Sequence, residues 1–102
     1  MTEQTQTKIK DMIAQNKVML FMKGTPEMPQ CGFSARATGI LQNLGAEFGH
    51  FNVFDDEEVR QGIKEFGQWP TIPQLYVNNE LVGGSDIMME MYESGELKEM
   101  LG

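Results

Sequence analysis

Apolar positions change their spacing several times along this chain, and each change marks the end of one element and the start of another. Ile9, Met12 and Ile13 recur at helical spacing, which predicts an amphipathic helix over residues of about 3 to 15. Val18-Met19-Leu20-Phe21-Met22 is then an unbroken apolar run of five, the pattern of a strand covered on both faces in a largely parallel sheet. Lys23 and Gly24 close that strand. Thr25-Pro26-Glu27-Met28-Pro29 cannot extend it, because two prolines within four residues remove amide donors and fix φ, so this stretch reads as a loop. From there Phe33, Ala37, Ile40, Leu41 and Leu44 stand at i, i+4, i+7, i+8 and i+11, a helix that Gly45 should stop.

The second half alternates in the same way. Phe48, Phe51, Val53 and Phe54 suit a second strand, which makes a strand-helix-strand unit with a right-handed, parallel connection. Asp55 with Glu58 resembles a capping box, and Val59, Ile63 and Phe66 supply the buried stripe of a helix ended by Gly67. Beyond Trp69-Pro70-Thr71-Ile72-Pro73, the runs Gln74–Val77 and Glu80–Val82 flank Asn78-Asn79, a hairpin signal because asparagine tolerates positive φ. Gly83-Gly84-Ser85-Asp86 leads into a helix with Ile87, Met88 and Met91, and Ser94-Gly95 separates it from a short terminal helix carrying Leu97, Met100 and Leu101. The order α-β-α-β-α-β-β-α-α implies an α/β fold in one domain spanning 1–102, with a mixed four-stranded sheet and helices on both faces.

Charge and composition narrow the partners. Eight basic against fifteen acidic residues leave a net charge of −7, which argues against nucleic acid and against an anionic membrane surface. No apolar run approaches the roughly 18 to 20 residues of a membrane span. The polar start Met1-Thr2-Glu3-Gln4-Thr5-Gln6 lacks a signal-peptide core, so a cytoplasmic or equivalent reducing compartment is expected.

Cys31 is the only cysteine among the 102 residues, and it lies where the proline-broken loop gives way to a helix. A thiol at a helix N-terminus meets unpaired N–H groups and the positive end of the helix dipole, both of which favour thiolate. Ser34 occupies the place of a resolving cysteine three residues on, so no internal disulfide can form and a second thiol must come from outside. His50, the sole histidine, has no companion ligand nearby and reads as a strand-edge residue. The nine methionines are most simply core, although Met88, Met89 and Met91 could form a plastic partner surface. Trp69 reads equally as a packing residue and as a groove wall.

Lys23, Cys31-Gly32-Phe33-Ser34, Trp69-Pro70-Thr71-Ile72-Pro73-Gln74 and Gly83-Gly84-Ser85-Asp86, in that order over nearly the whole chain, resemble the monothiol glutaredoxins of the CGFS type. The resemblance implies a thioredoxin fold, with glutathione as the outside thiol and Cys31 as the reacting group. It implies that Lys23 and Arg60 meet the glycine carboxylate of glutathione, and that the backbone of Ile72, turned by a cis Pro73, pairs with the cysteinyl part. Ser85 and Asp86 would take the γ-glutamyl end, while either could simply cap its helix.

Two activities follow from that resemblance. In one, two Cys31 thiolates and two glutathiones hold a [2Fe-2S] cluster between two subunits for delivery to acceptor apoproteins, the subunits forming a homodimer or pairing with a BolA-like protein. In the other, Cys31 is a glutathione-dependent oxidoreductase centre that removes glutathione from protein mixed disulfides. The CGFS class is typically weak in such turnover, so the resemblance leans toward the carrier, with Cys31 as cluster ligand.

Overall fold

The computed structural model describes residues 1–102. Its elements are α1 (Glu3–Gln15), β1 (Val18–Met22), α2 (Gly32–Asn43), β2 (Gly49–Asn52), a 3-10 turn (Val53–Asp55), α3 (Glu57–Gly67), β3 (Gln74–Val77), β4 (Glu80–Gly83), α4 (Ser85–Ser94) and α5 (Glu96–Leu101). The four strands form one sheet in the order β2-β1-β3-β4. β1 runs parallel to β2 and antiparallel to β3, and β3 runs antiparallel to β4, so the sheet is mixed. The unbroken apolar run of β1 therefore reports burial on both faces and not, as expected, a largely parallel neighbourhood.

All five residues of β1 are buried, and they alternate between two cores. Val18, Leu20 and Met22 face Ala37, Ile40 and Leu41 of α2, Met88 of α4 and Leu97 of α5. Met19 and Phe21 face Ile9 and Ile13 of α1 with Val59 and Ile63 of α3. Each fully buried side chain of this size stabilises by about 1.5–3 kcal/mol relative to exposure. Met88 belongs to the core under α2, α4 and α5, as the core reading of the methionines expects, while Met89 and Met91 pack against it partly buried.

Local chemistry sets the element ends. The Thr2 hydroxyl caps α1 by accepting the Thr5 amide hydrogen. α3 starts one residue later than expected because Val53–Asp55 coils into the 3-10 turn, leaving Asp56 as the N-cap. Asp56 Oδ1 accepts from the amides of Glu58 (3.0 Å) and Val59 (3.2 Å), while Lys8 Nζ donates to Oδ2 at 2.7 Å. The Lys8 hydrogen bond and the Val59 amide hold the Asp56 carboxyl below the usual carboxylate range. Glu58 accepts the Thr5 hydroxyl of α1 instead of closing a capping box. At the far end Gly67 is still helical, and Gln68 takes the left-handed conformation at φ 50°. The β3–β4 hairpin turns through Asn78 and Asn79, both at positive φ as the sequence predicts.

Candidate functional site

The loop after β1 is folded back on itself before it delivers the thiol. Thr25 and Met28 exchange backbone hydrogen bonds, and the Gln30 amide donates to the Lys23 carbonyl at 2.9 Å. Gly24, at φ +90°, is required here: a Cβ would lie 2.5 Å from the Met28 carbonyl oxygen and 2.6 Å from the Gln30 nitrogen. Cys31 thus begins α2 beside the end of β1, half-buried and in extended backbone at the N-cap.

Burial by itself pushes the Cys31 thiol up, but four contributions outweigh it and leave it below the ordinary thiol value. They are the amides of Ser34 and Phe33, the Ser34 hydroxyl, and the charge of Lys23. The thiol makes no close capping hydrogen bond, so the amides act on it as oriented dipoles at the helix start. Ser34 is wholly buried, and its Oγ accepts the Lys23 amide hydrogen at 3.0 Å. The sequence presented Ser34 as a missing cysteine, whereas in the fold it joins the thiol's helix to the strand that carries Lys23.

A cleft of about 170 Å³ opens on the same edge, walled by Phe33, Trp69, Ile72, Pro73, Ser85 and Asp86 among others. It is smaller than the roughly 300 Å³ at which pockets begin to enclose a small molecule. It fits one end of a peptide-sized ligand, the remainder lying across the surface. A larger hollow of about 650 Å³ is lined only by α1, mostly by polar residues from Glu3 to Gln15, and lies away from the thiol's helix and loop.

Of the residues expected to contact glutathione, Ile72, Ser85 and Asp86 meet at the cleft. Ile72 is buried, the peptide bond to Pro73 is cis, and Ile72 takes part in no backbone hydrogen bond within the chain. Its amide and carbonyl are a free edge. Ser85 is buried at the first turn of α4. Asp86 is exposed and pairs with Arg36 of α2 at 3.4 Å. Neither Ser85 nor Asp86 is the N-cap, a place taken by Gly84, which offers no side-chain acceptor to the first amides of α4. Gly84 approaches the Pro73 turn closely: a Cβ there would sit 3.3 Å from the Pro73 carbonyl oxygen and 3.5 Å from Trp69 Nε1. Trp69 both packs and walls the cleft, with its indole N–H buried and unpartnered.

Lys23 and Arg60 stand outside the cleft walls. Lys23 adjoins Cys31 through Ser34, as described. Arg60 lies over the Phe54 ring, 5.3 Å from its centroid, with Glu57 at 3.5 Å from its guanidinium. Asn52 connects these two regions, since its Oδ1 accepts from both the Gly24 and the Phe54 amides at 3.0 Å. Sequence reasoning missed Asn52, and only its place at a strand end signalled it. His50 is exposed on the outer strand β2, as expected. No group of three or more His, Cys, Asp or Glu side chains converges anywhere, so one chain offers a metal a single thiolate.

Comparison with known proteins points the same way. The glutaredoxin family pattern matches residues 18–82. A Synechocystis protein described as an uncharacterized monothiol glutaredoxin ycf64-like is 57% identical over 101 residues, covering 99% of this chain and 94% of its own. The solution structure of reduced poplar apo GrxS14 superposes with a TM-score of 0.81 at 49% identity, over 92% of this chain and 86% of that one. The crystal structure of a buckwheat glutaredoxin-glutathione complex shares the fold, with a TM-score of 0.86 at 21% identity over 99% of this chain and 94% of that one.

Proposed function

The chain belongs to the glutaredoxin family, with monothiol glutaredoxins among its relatives, and from that footing we propose that it binds glutathione beside Cys31 and carries a [2Fe-2S] cluster to acceptor proteins. The observation that carries this reading is a lone, half-exposed cysteine with a lowered pKa next to a cleft edged by the free backbone of Ile72. The glutathione cysteinyl backbone would pair with Ile72 as an added strand. Lys23 and Arg60 would receive its glycine carboxylate, and the uncapped start of α4 at Ser85 its γ-glutamyl carboxylate, with Asp86 on the amino group. A buckwheat glutaredoxin of the same fold is described in complex with glutathione, which supports glutathione as the ligand.

Fe–S clusters usually require four thiolates. One Cys31 from each of two subunits and one thiol from each of two glutathiones complete that number, which makes the loaded form a homodimer. Because glutathione is held noncovalently, the cluster can leave as cargo toward apoproteins, and a BolA-like protein could replace one subunit. The reading places the protein in a reducing compartment such as the cytoplasm, where glutathione is abundant.

Anaerobic reconstitution with iron, sulfide and glutathione should yield a dimer with the visible absorption of a [2Fe-2S] centre, and only when glutathione is present. A colourless monomer would overturn the carrier reading.

The lowered Cys31 thiol also favours a second activity on the same groove. Its thiolate attacks the glutathionyl sulfur of a protein mixed disulfide, releasing the protein thiol, and a second glutathione thiolate then frees Cys31 as glutathione disulfide leaves. Brisk steady-state turnover on a glutathionylated protein would put this activity first.

A further inference from the structure

Gln74 is a wholly buried amide at the start of a strand whose other residues are apolar or aromatic. Such a group costs about 1–3 kcal/mol unless it finds partners. It finds three. Its Nε2 donates to the carbonyls of Trp69 at 3.0 Å and Thr71 at 3.2 Å, and its Oε1 accepts the Tyr76 hydroxyl at 3.0 Å. Two of these bonds reach back over the irregular segment between α3 and β3, the segment that supplies Trp69, Ile72 and Pro73 to the cleft. They hold the carbonyls of Trp69 and Thr71, both on the approach to Ile72, while the Ile72 backbone itself has no partner.

The clamp is built in from behind as well. Tyr76 shares its face of β3 with Gln74, and its ring meets Phe21 edge-on at 5.8 Å within the α1–α3 core. Burial pushes the Tyr76 phenol up to about 12, so it remains an O–H donor throughout the working pH range. Gly67 ends α3 against this pair: a Cβ there would lie 2.5 Å from the Tyr76 hydroxyl and 2.9 Å from Gln74 Oε1.

We infer that Gln74, held by Tyr76, is a positioning residue that shapes the Trp69–Pro73 segment so that the Ile72 backbone is presented to glutathione. Gln74 does not line the cleft and acts only through the segment it clamps. The inference rests on the glutathione reading above and adds to it the device that holds the recognition edge in place.

The test is the equilibrium between Cys31 and two disulfides, followed by mass spectrometry. With glutathione disulfide, the Cys31 thiolate attacks one sulfur, the mixed disulfide forms and one glutathione thiolate leaves. Bis(2-hydroxyethyl) disulfide reacts in the same way but has no peptide backbone to pair with Ile72. In Gln74→Leu the equilibrium constant with glutathione disulfide should fall about tenfold, as expected for losing about 1.4 kcal/mol of hydrogen bonding, while that with the hydroxyethyl compound stays within about twofold. Tyr76→Phe, which keeps the ring and the two amide donors, should give a smaller fall with glutathione alone and serves if Gln74→Leu does not fold. Equal changes with both disulfides, or no change in a folded variant, would overturn the role of Gln74. A wild-type protein that does not prefer glutathione over the hydroxyethyl compound would instead overturn the glutathione reading, and this inference with it.

Discussion

The Ser34 hydroxyl oxygen accepts the Lys23 amide hydrogen at 3.0 Å, which leaves its own proton free to face the Cys31 sulfur. One buried side chain thereby sets both the strand end that carries the nearby cation and the charge state of the thiol. Ser34→Ala removes the partner of a partly buried amide and should lower stability by about 1 kcal/mol. It also removes one of the contributions that lower the Cys31 thiol pKa, so the pKa rises and less thiolate is present at a given pH. Alkylation of Cys31 by iodoacetamide at pH 7 should slow roughly threefold, and its pH profile should move upward. An unshifted profile would remove Ser34 from the thiol's environment.

Arg36 and Asp86 join α2 to α4 at the mouth of the cleft, with side chains 45% and 83% exposed. Exposure of that degree leaves little net stability in the pair, and Arg36→Gln should unfold within about 0.5 kcal/mol of the parent in urea. Its effect should appear in ligand binding. Freeing Asp86 should raise the glutathionylation equilibrium about twofold, whereas Asp86→Asn should lower it about threefold through loss of the amino-group partner. Identical equilibria in both variants would remove Asp86 from the glutathione site.

The elements most legible in the sequence were those set by burial alone. β1 was found to the residue because five apolar side chains in a row leave no other reading, and α1 because its stripe is undisturbed. The errors lie where hydrogen bonding, not hydrophobicity, places the boundary. Asp55 and Asp56 are equally good caps on paper, and the 3-10 turn that selects Asp56 has no apolar period. Gln68 takes a left-handed turn one residue after a glycine that could have done so. At the site, Lys23, Ile72, Ser85 and Asp86 were marked by motif, yet Ser34 was read only for the thiol it lacks. Gln74 did leave a signal, a lone amide entering an apolar strand, and its partners are carbonyls that no side-chain pattern records.

Asp56 makes the stability of α3 dependent on pH. Its carboxyl is held below its usual value, first by Lys8, so its contribution is complete above the unfolded carboxyl value of about 4 and is lost as pH falls through the folded value. Asp56→Ala should therefore melt earlier than the parent at pH 7, and the gap between the two melting temperatures should close in strong acid. A gap that persists unchanged at pH 2 would assign the effect to packing.

Gly24→Ala tests the loop that presents the thiol. The φ of +90° and the two backbone atoms within 2.6 Å of the added methyl cannot be relieved by a side-chain rotation. The substitution should cost about 1–3 kcal/mol in denaturant unfolding and make Cys31 alkylation independent of Lys23. Wild-type stability would show that the loop relaxes freely.

β1 lies in both cores at once, and this bears on how the protein opens. The helices on either side cannot detach as separate units, since each would strip one face of a strand the other still needs. Amide hydrogens of β1 should therefore exchange only by global unfolding. Lys23 and the Cys31 turn hang directly from the end of that strand, so the reactive corner is anchored to the last part of the molecule to come apart, and the thiol should keep its surroundings until the whole fold opens.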